Sequence, residues 1–177
     1  MKVKVILSAL MVACLALFGL SAAAKEETKK VDVLFFHDTH SHLNEFSTVE
    51  EGRSSMMGGF AKIRTLINEK KAENPDTLIL DGGDFSMGTL VQTVYETDAA
   101  ELRMLGALGV DVSTLGNHEY DYRAKGLANM LKSAVESGDV LPQLVLSNVD
   151  WEAMEEAALT DDQKLLREAF EIFGIKE

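Results

Sequence analysis

A chain of 177 residues with 29 acidic and 17 basic side chains carries a net charge of −12, which argues against a nucleic-acid backbone as its main partner. Its single cysteine, Cys14, rules out an intrachain disulfide, so the core must hold by packing. The length suffices for one domain with a buried core.

Lys2 and Lys4 open the chain, Val5 to Leu20 is apolar, and Ser21-Ala22-Ala23-Ala24 supplies small residues. That order reads as a secretory signal peptide over residues 1–24, and it predicts an exported protein: periplasmic, cell-surface or extracellular. The apolar run is short for a stable membrane span, so none is expected after cleavage. Residues 25–30 form a polar leader. Val31 to Phe36 (VDVLFF) is β-branched and aromatic and reads as a strand buried on both faces. The loop HDTHSH follows it. Phe60, Ile63, Leu66 and Ile67 recur at helical spacing, and Asn74-Pro75 closes that helix. Thr77 to Leu80 is a second strand, followed by DGGDFSMG. Ala99 to Leu108 is a helix stopped by Gly109. Val110 to Leu115 is a third strand, followed by GNHEYD. Leu127, Met130, Leu131, Ala134 and Val135 mark the next helix, and Leu144 to Leu146 a fourth strand. Asp150 to Asp162 is acidic and reads as solvated. Thr160 with Gln163 forms a capping box for a last helix lined by Leu166, Phe170 and Phe173 and ended by Gly174. The strand that this rhythm calls for next is missing. Strand, loop, helix, repeated, predicts an α/β fold with a largely parallel sheet.

In open α/β sheets, ligands bind beyond the carboxyl ends of the strands. Three loops at that edge are rich in metal-ligand types: Asp38 and His40 with His37 and His42 beside them, then Asp81 and Asp84 among glycines, then Asn117 and His118. Carboxylate, imidazole and amide oxygen together suit borderline divalent cations such as Mn, Zn, Fe or Co. Taken singly, the residues have ordinary readings. His37 packs at a strand end, His42 is an exposed loop histidine, Asp81 caps its own turn, Glu119 pairs with a neighbouring backbone group, and Met56 and Met57 pack in a loop. The joint pattern outweighs these, because D-x-H, G-D and G-N-H-E each follow a separate strand.

HDTHSH, DGGDFSMG and TLGNHEYD resemble the first three motifs of the calcineurin-like metallophosphoesterases, and fit best the secreted 5'-nucleotidase family. GGFAKI at 58–63, Leu108-Gly109-Val110-Asp111 and LSNV at 146–149 resemble that branch too. The resemblance runs from about Val31 to the final residue. It implies the first half of a four-layer α/β-β/α sandwich, with one largely parallel sheet flanked by helices. It implies two divalent metal ions: Asp38 and His40 on the first, Asp84 bridging both, Asn117 on the second through its side-chain oxygen. His118 would face the phosphate rather than a metal, with Asp121 orienting it; no substrate-binding residue is assigned. The implied activity is hydrolysis of phosphate monoesters of nucleotides by metal-activated water.

Two departures qualify that activity. The family's later lone histidine and G-H-x-H motif have no counterpart, since the four histidines are His37, His40, His42 and His118. The family's C-terminal nucleoside-binding domain is also missing. Residues 31–177 are therefore expected to be the N-terminal portion of the catalytic domain, an incomplete and weakly active or inactive fragment with one uncovered sheet face. Two alternatives stay open. One is a related phosphoesterase acting on cyclic nucleotides, nucleotide-sugars or a sulfur ester. The other is a non-catalytic metal-binding surface module.

Overall fold

In the computed structural model, residues 30–176 are described. The signal peptide expected over residues 1–24 and most of the polar leader lie outside them. Residues 31–177 form one compact unit. Among the described residues, no helix is long and apolar enough to cross a membrane.

Four parallel strands make the sheet: β1 (Val33–Phe36), β4 (Leu78–Asp81), β5 (Val112–Ser113) and β6 (Gln143–Leu144), side by side in that order. The register sets Leu34 against Ile79, Phe36 against Asp81, and Ser113 against Leu144. Alternation along each strand puts these residues on one face. Against that face pack α1 (Phe60–Glu73), α3 (Ala100–Leu108), α4 (Arg123–Glu136) and α6 (Asp161–Phe173), joining Ile79 and Leu144 in one core with Ile67, Leu102, Leu105, Leu127, Leu131 and Phe170. The other face is wet: Val33 and Phe35 are 51% and 59% exposed. The uncovered face anticipated for VDVLFF is therefore present. Two short elements, a 3-10 turn at Leu90–Val94 and α2 (Tyr95–Asp98), lead into α3.

The helix boundaries follow their sequence signals. Asn74 ends α1 in an extended conformation, and Gly109 ends α3 at φ +84°. Thr160 and Gln163 form the full reciprocal capping box of α6, and Gly174 ends it at φ +77°.

Three expectations are corrected. The segment holding Met56 and Met57 is no packing loop but the second arm of an antiparallel hairpin, β2 (Glu45–Glu50) and β3 (Arg53–Gly58), and both methionines are exposed. Glu51 and Gly52 turn it with positive φ at both positions, the geometry that suits a tight hairpin. The acidic stretch after Asp150 is not simply solvated. It holds α5 (Trp151–Glu156), capped by the Asp150 carboxylate, with the Trp151 ring edge-on to Phe170 at 5.5 Å. The strand read as missing after α6 has one bridged residue in its place: Lys176 pairs in parallel with Val145, and its carbonyl accepts from Leu146 N at 2.7 Å.

Candidate metal centre

The three motif loops leave the carboxyl ends of β1, β4 and β5, and backbone hydrogen bonds continue the sheet into them. Gly82 N donates to Phe36 O, Asp38 N to Gly83 O at 3.0 Å, His40 N to Asp84 O at 3.1 Å, and Ser41 N to Phe85 O at 2.8 Å. The first loop is thereby fastened to the second. To achieve this, Asp38, His40, Ser41 and Asp84 all take positive φ, between 44° and 56°. Such conformations are costly for residues with side chains and cluster at functional sites.

The second and third loops meet backbone to backbone. A side-chain carbon on Gly116 would stand 2.1 Å from Asp84 Oδ1, and one on Gly83 would stand 2.6 Å from Gly116 N. Only glycine permits this approach. Asp84 Oδ1 accepts from His118 N at 2.9 Å. The buried Glu119 carboxylate spans both loops, accepting from Asp84 N, Ser86 N, Ser86 Oγ and Gly116 N. The Tyr95 hydroxyl donates to Glu119 O at 2.8 Å, tying the third loop to α2.

This framework brings His40, Asp84 and His118 together: one ligand atom from each lies within 4.8 Å of the others. His40 Nδ1 lies 3.2 Å from Ser86 O, so it carries the proton and Nε2 keeps a free lone pair. The His40 and His118 rings stand edge to face at 5.0 Å. His118 Nδ1 is 2.8 Å from Asp121 Oδ2, and this hydrogen bond, with the Asp121 charge behind it, raises the imidazole above its ordinary pKa. The His40 imidazole, its tautomer fixed by a carbonyl, and the Asp84 carboxylate fit a borderline divalent cation, and His118 stands beside them.

Two more expected ligands lie on the first and third loops. Asp38 is outside the triad, and its carboxylate pairs with His37 Nδ1 at 2.6 Å. Asn117 is exposed, at the start of the 3-10 turn His118–Tyr120. His37 is not a packed strand-end residue but an exposed one, its ring 5.6 Å from Phe35. His42 is half-buried rather than exposed, with its ring 4.7 Å from Phe46. Asp81 does cap its own turn, accepting from Gly83 N at 3.2 Å, and also accepts from Ser113 Oγ at 2.6 Å. Glu101 escaped the sequence reading altogether. It sits fully buried in α3 beneath the first loop, accepting from Ser41 Oγ at 2.7 Å, and burial raises its pKa. Its position within an amphipathic helix gave no signal beyond a charge among leucines.

Comparison with known proteins converges on one family. The model of the family described as calcineurin-like phosphoesterase matches residues 31–168. A Lutzomyia longipalpis protein named 5NUC is 32% identical over 162 residues, covering 86% of this chain and 27% of that protein. The 5'-nucleotidase of Bos taurus is 34% identical over 110 residues, covering 60% of this chain and 19% of that enzyme. The crystal structure of a 5'-nucleotidase precursor from Thermus thermophilus matches with a TM-score of 0.56 at 31% identity, covering 67% of this chain and 22% of that one. The chain thus spans about a quarter of the length of these relatives, or less.

Proposed function

Since this chain belongs to the calcineurin-like phosphoesterase family, we propose that it carries the first catalytic loops of an exported, 5'-nucleotidase-like enzyme that hydrolyses phosphate monoesters of nucleotides. The observation that carries this reading is the convergence of His40, Asp84 and His118 from three separate loops, with Asp121 behind His118. In this reading Asp38, His40, Asp84 and Asn117 would hold the two divalent cations. Manganese, zinc, iron and cobalt all suit these donors. When bound, the metal pair supplies an activated water and neutralises charge on the phosphoryl group.

The chain's own residues do the rest. Asp84, fixed through both its backbone and its carboxylate, keeps the ligand loops in register. His118, its positive charge favoured by Asp121, stabilises the charge that grows on the phosphoryl oxygens and so acts as a catalytic residue with Asp121 orienting it. Nucleotides as substrates are supported by the names of the relatives. Export is supported by the basic, apolar and small-residue order of residues 1–24, followed by a leader at 25–30. Residues 31–177 then form the N-terminal portion of the catalytic domain, a reading in keeping with a chain that covers 27% of the Lutzomyia longipalpis relative.

The test is hydrolysis of AMP and of an aryl phosphate with manganese, by the 177-residue chain and by any longer product of its reading frame. Turnover by the longer product, at or near background for the short one, and lost at least a hundredfold in Asp84→Ala and His118→Ala, is the expected result. Metal binding without hydrolysis by the longer product would favour the surface-module alternative.

A further inference from the structure

We propose that Glu119 is the positioning residue of this site, setting the spacing between Asp84 and the Asn117–His118 pair by clamping the second and third loops together. The inference rests on the reading of the site given above and adds a residue to which that reading gives no role. Glu119 is fully buried, and each of its carboxylate oxygens takes two donors. Oε1 accepts from Ser86 N at 3.0 Å and Ser86 Oγ at 2.8 Å; Oε2 accepts from Asp84 N at 3.0 Å and Gly116 N at 2.6 Å. A carboxylate taken out of water needs such replacement of its hydration.

The identity of the donors gives the role. One is the amide of Asp84 itself, one belongs to the residue before Asn117, and two belong to Ser86, whose carbonyl lies against His40 Nδ1. Asp84 answers in kind: its Oδ1 accepts from His118 N. The loops therefore exchange carboxylate-to-amide bonds in both directions, and Tyr95 fixes the Glu119 carbonyl from below. None of the four donors to the Glu119 carboxylate lies in a helix or strand. What the clamp holds is the geometry of the ligand loops.

The experiment uses the 177-residue chain and manganese alone, with Glu119→Gln and Ser86→Ala. Glu119→Gln keeps the shape but turns an NH2 group toward two N–H donors. The expected result is manganese affinity about tenfold or more weaker, an unchanged far-ultraviolet circular dichroism spectrum, and faster amide exchange confined to Asp84, Ser86 and Gly116. Ser86→Ala, losing one donor of four, weakens affinity about twofold to threefold. Wild-type affinity together with unchanged exchange at those amides in Glu119→Gln overturns the proposal. Should Glu119→Gln not fold, Ser86→Ala decides: wild-type affinity and exchange overturn the proposal, and weaker affinity with local exchange supports it. If the wild-type chain binds no manganese, exchange alone decides. Acceleration at the three amides upholds the clamp, and its absence overturns it.

Discussion

Asp81 sits at the end of β4 with 4% of its surface exposed. Its Oδ2 is well supplied, while Oδ1 is buried with no hydrogen-bond partner among the described residues. Burial is the dominant influence and pushes the carboxyl up to about 6, against the bonds from Ser113 and Gly83 that pull it down. A carboxyl raised in the folded state prefers its proton there, and the unfolded chain gives that proton up earlier. The resulting stability is fully present below about pH 4 and is lost as pH rises through about 6. Asp81→Asn removes the ionisation. It should raise the melting temperature above pH 6, by the equivalent of about 1–3 kcal/mol, with the gain gone by pH 4 in thermal melts across that range. His118 is raised too, and so runs in the same sense, but its cause is the hydrogen bond to Asp121 rather than burial. Asp121 holds the proton on His118, so Asp121→Asn should move the His118 titration to lower pH, read from its imidazole carbon-bound protons by NMR in metal-free chain. These residues differed in how plainly the sequence announced them. The order G-N-H-E-Y-D put His118 and Asp121 three apart, a spacing one helical turn can close. Asp81 was legible as a turn cap and as one carboxylate of its loop, but not as the partner of Ser113, which lies on another strand. Asp38 was readable from its D-x-H spacing, but its 2.6 Å contact with the neighbouring His37 was not.

At the scale of elements, the loops are more constrained than the strands that carry them. β5 and β6 are two residues each, while the loops between and beyond them share a dense set of backbone and carboxylate bonds. Gly116→Ala should therefore cost more than a loop substitution ordinarily does. The added carbon would displace the Asp84 carboxylate, since it would lie 2.1 Å from Oδ1 and 2.6 Å from Asp84 N. We expect a loss of about 2–4 kcal/mol in denaturant melts and manganese affinity at least tenfold weaker by titration. Elements with an apolar period were readable: α1, α3, α4 and α6 lie where their leucines and caps placed them. The β2–β3 hairpin was missed because it turns no apolar face to the core. Its side chains are nearly all exposed, so period-two alternation had no burial to report. α5 was missed for the reverse reason. Its acidic residues hid Trp151, which packs against Phe170 and lies beneath the guanidinium of Arg167, 5.9 Å from the ring centre.

For the whole molecule, the asymmetry of the sheet is the dominant fact. One face carries the core, and the other exposes Val33, Phe35, Leu78 and Val145 to water. A contiguous apolar face of this kind binds amphiphilic dyes. The chain should enhance anilinonaphthalene sulfonate fluorescence while fully folded, and Phe35→Ser should cut that signal by about half with a stability change under about 1 kcal/mol, as befits an exposed side chain. The sequence foretold this face because VDVLFF is apolar at consecutive positions, more than a one-sided strand needs. The spatial order of the strands carries a different consequence. β1, β4, β5 and β6 lie beside one another in the order in which they are translated. Each docks on the strand completed before it, so the sheet accretes along a single edge. For a polypeptide emerging amino end first, β4, β5 and β6 each find the neighbouring strand already synthesised.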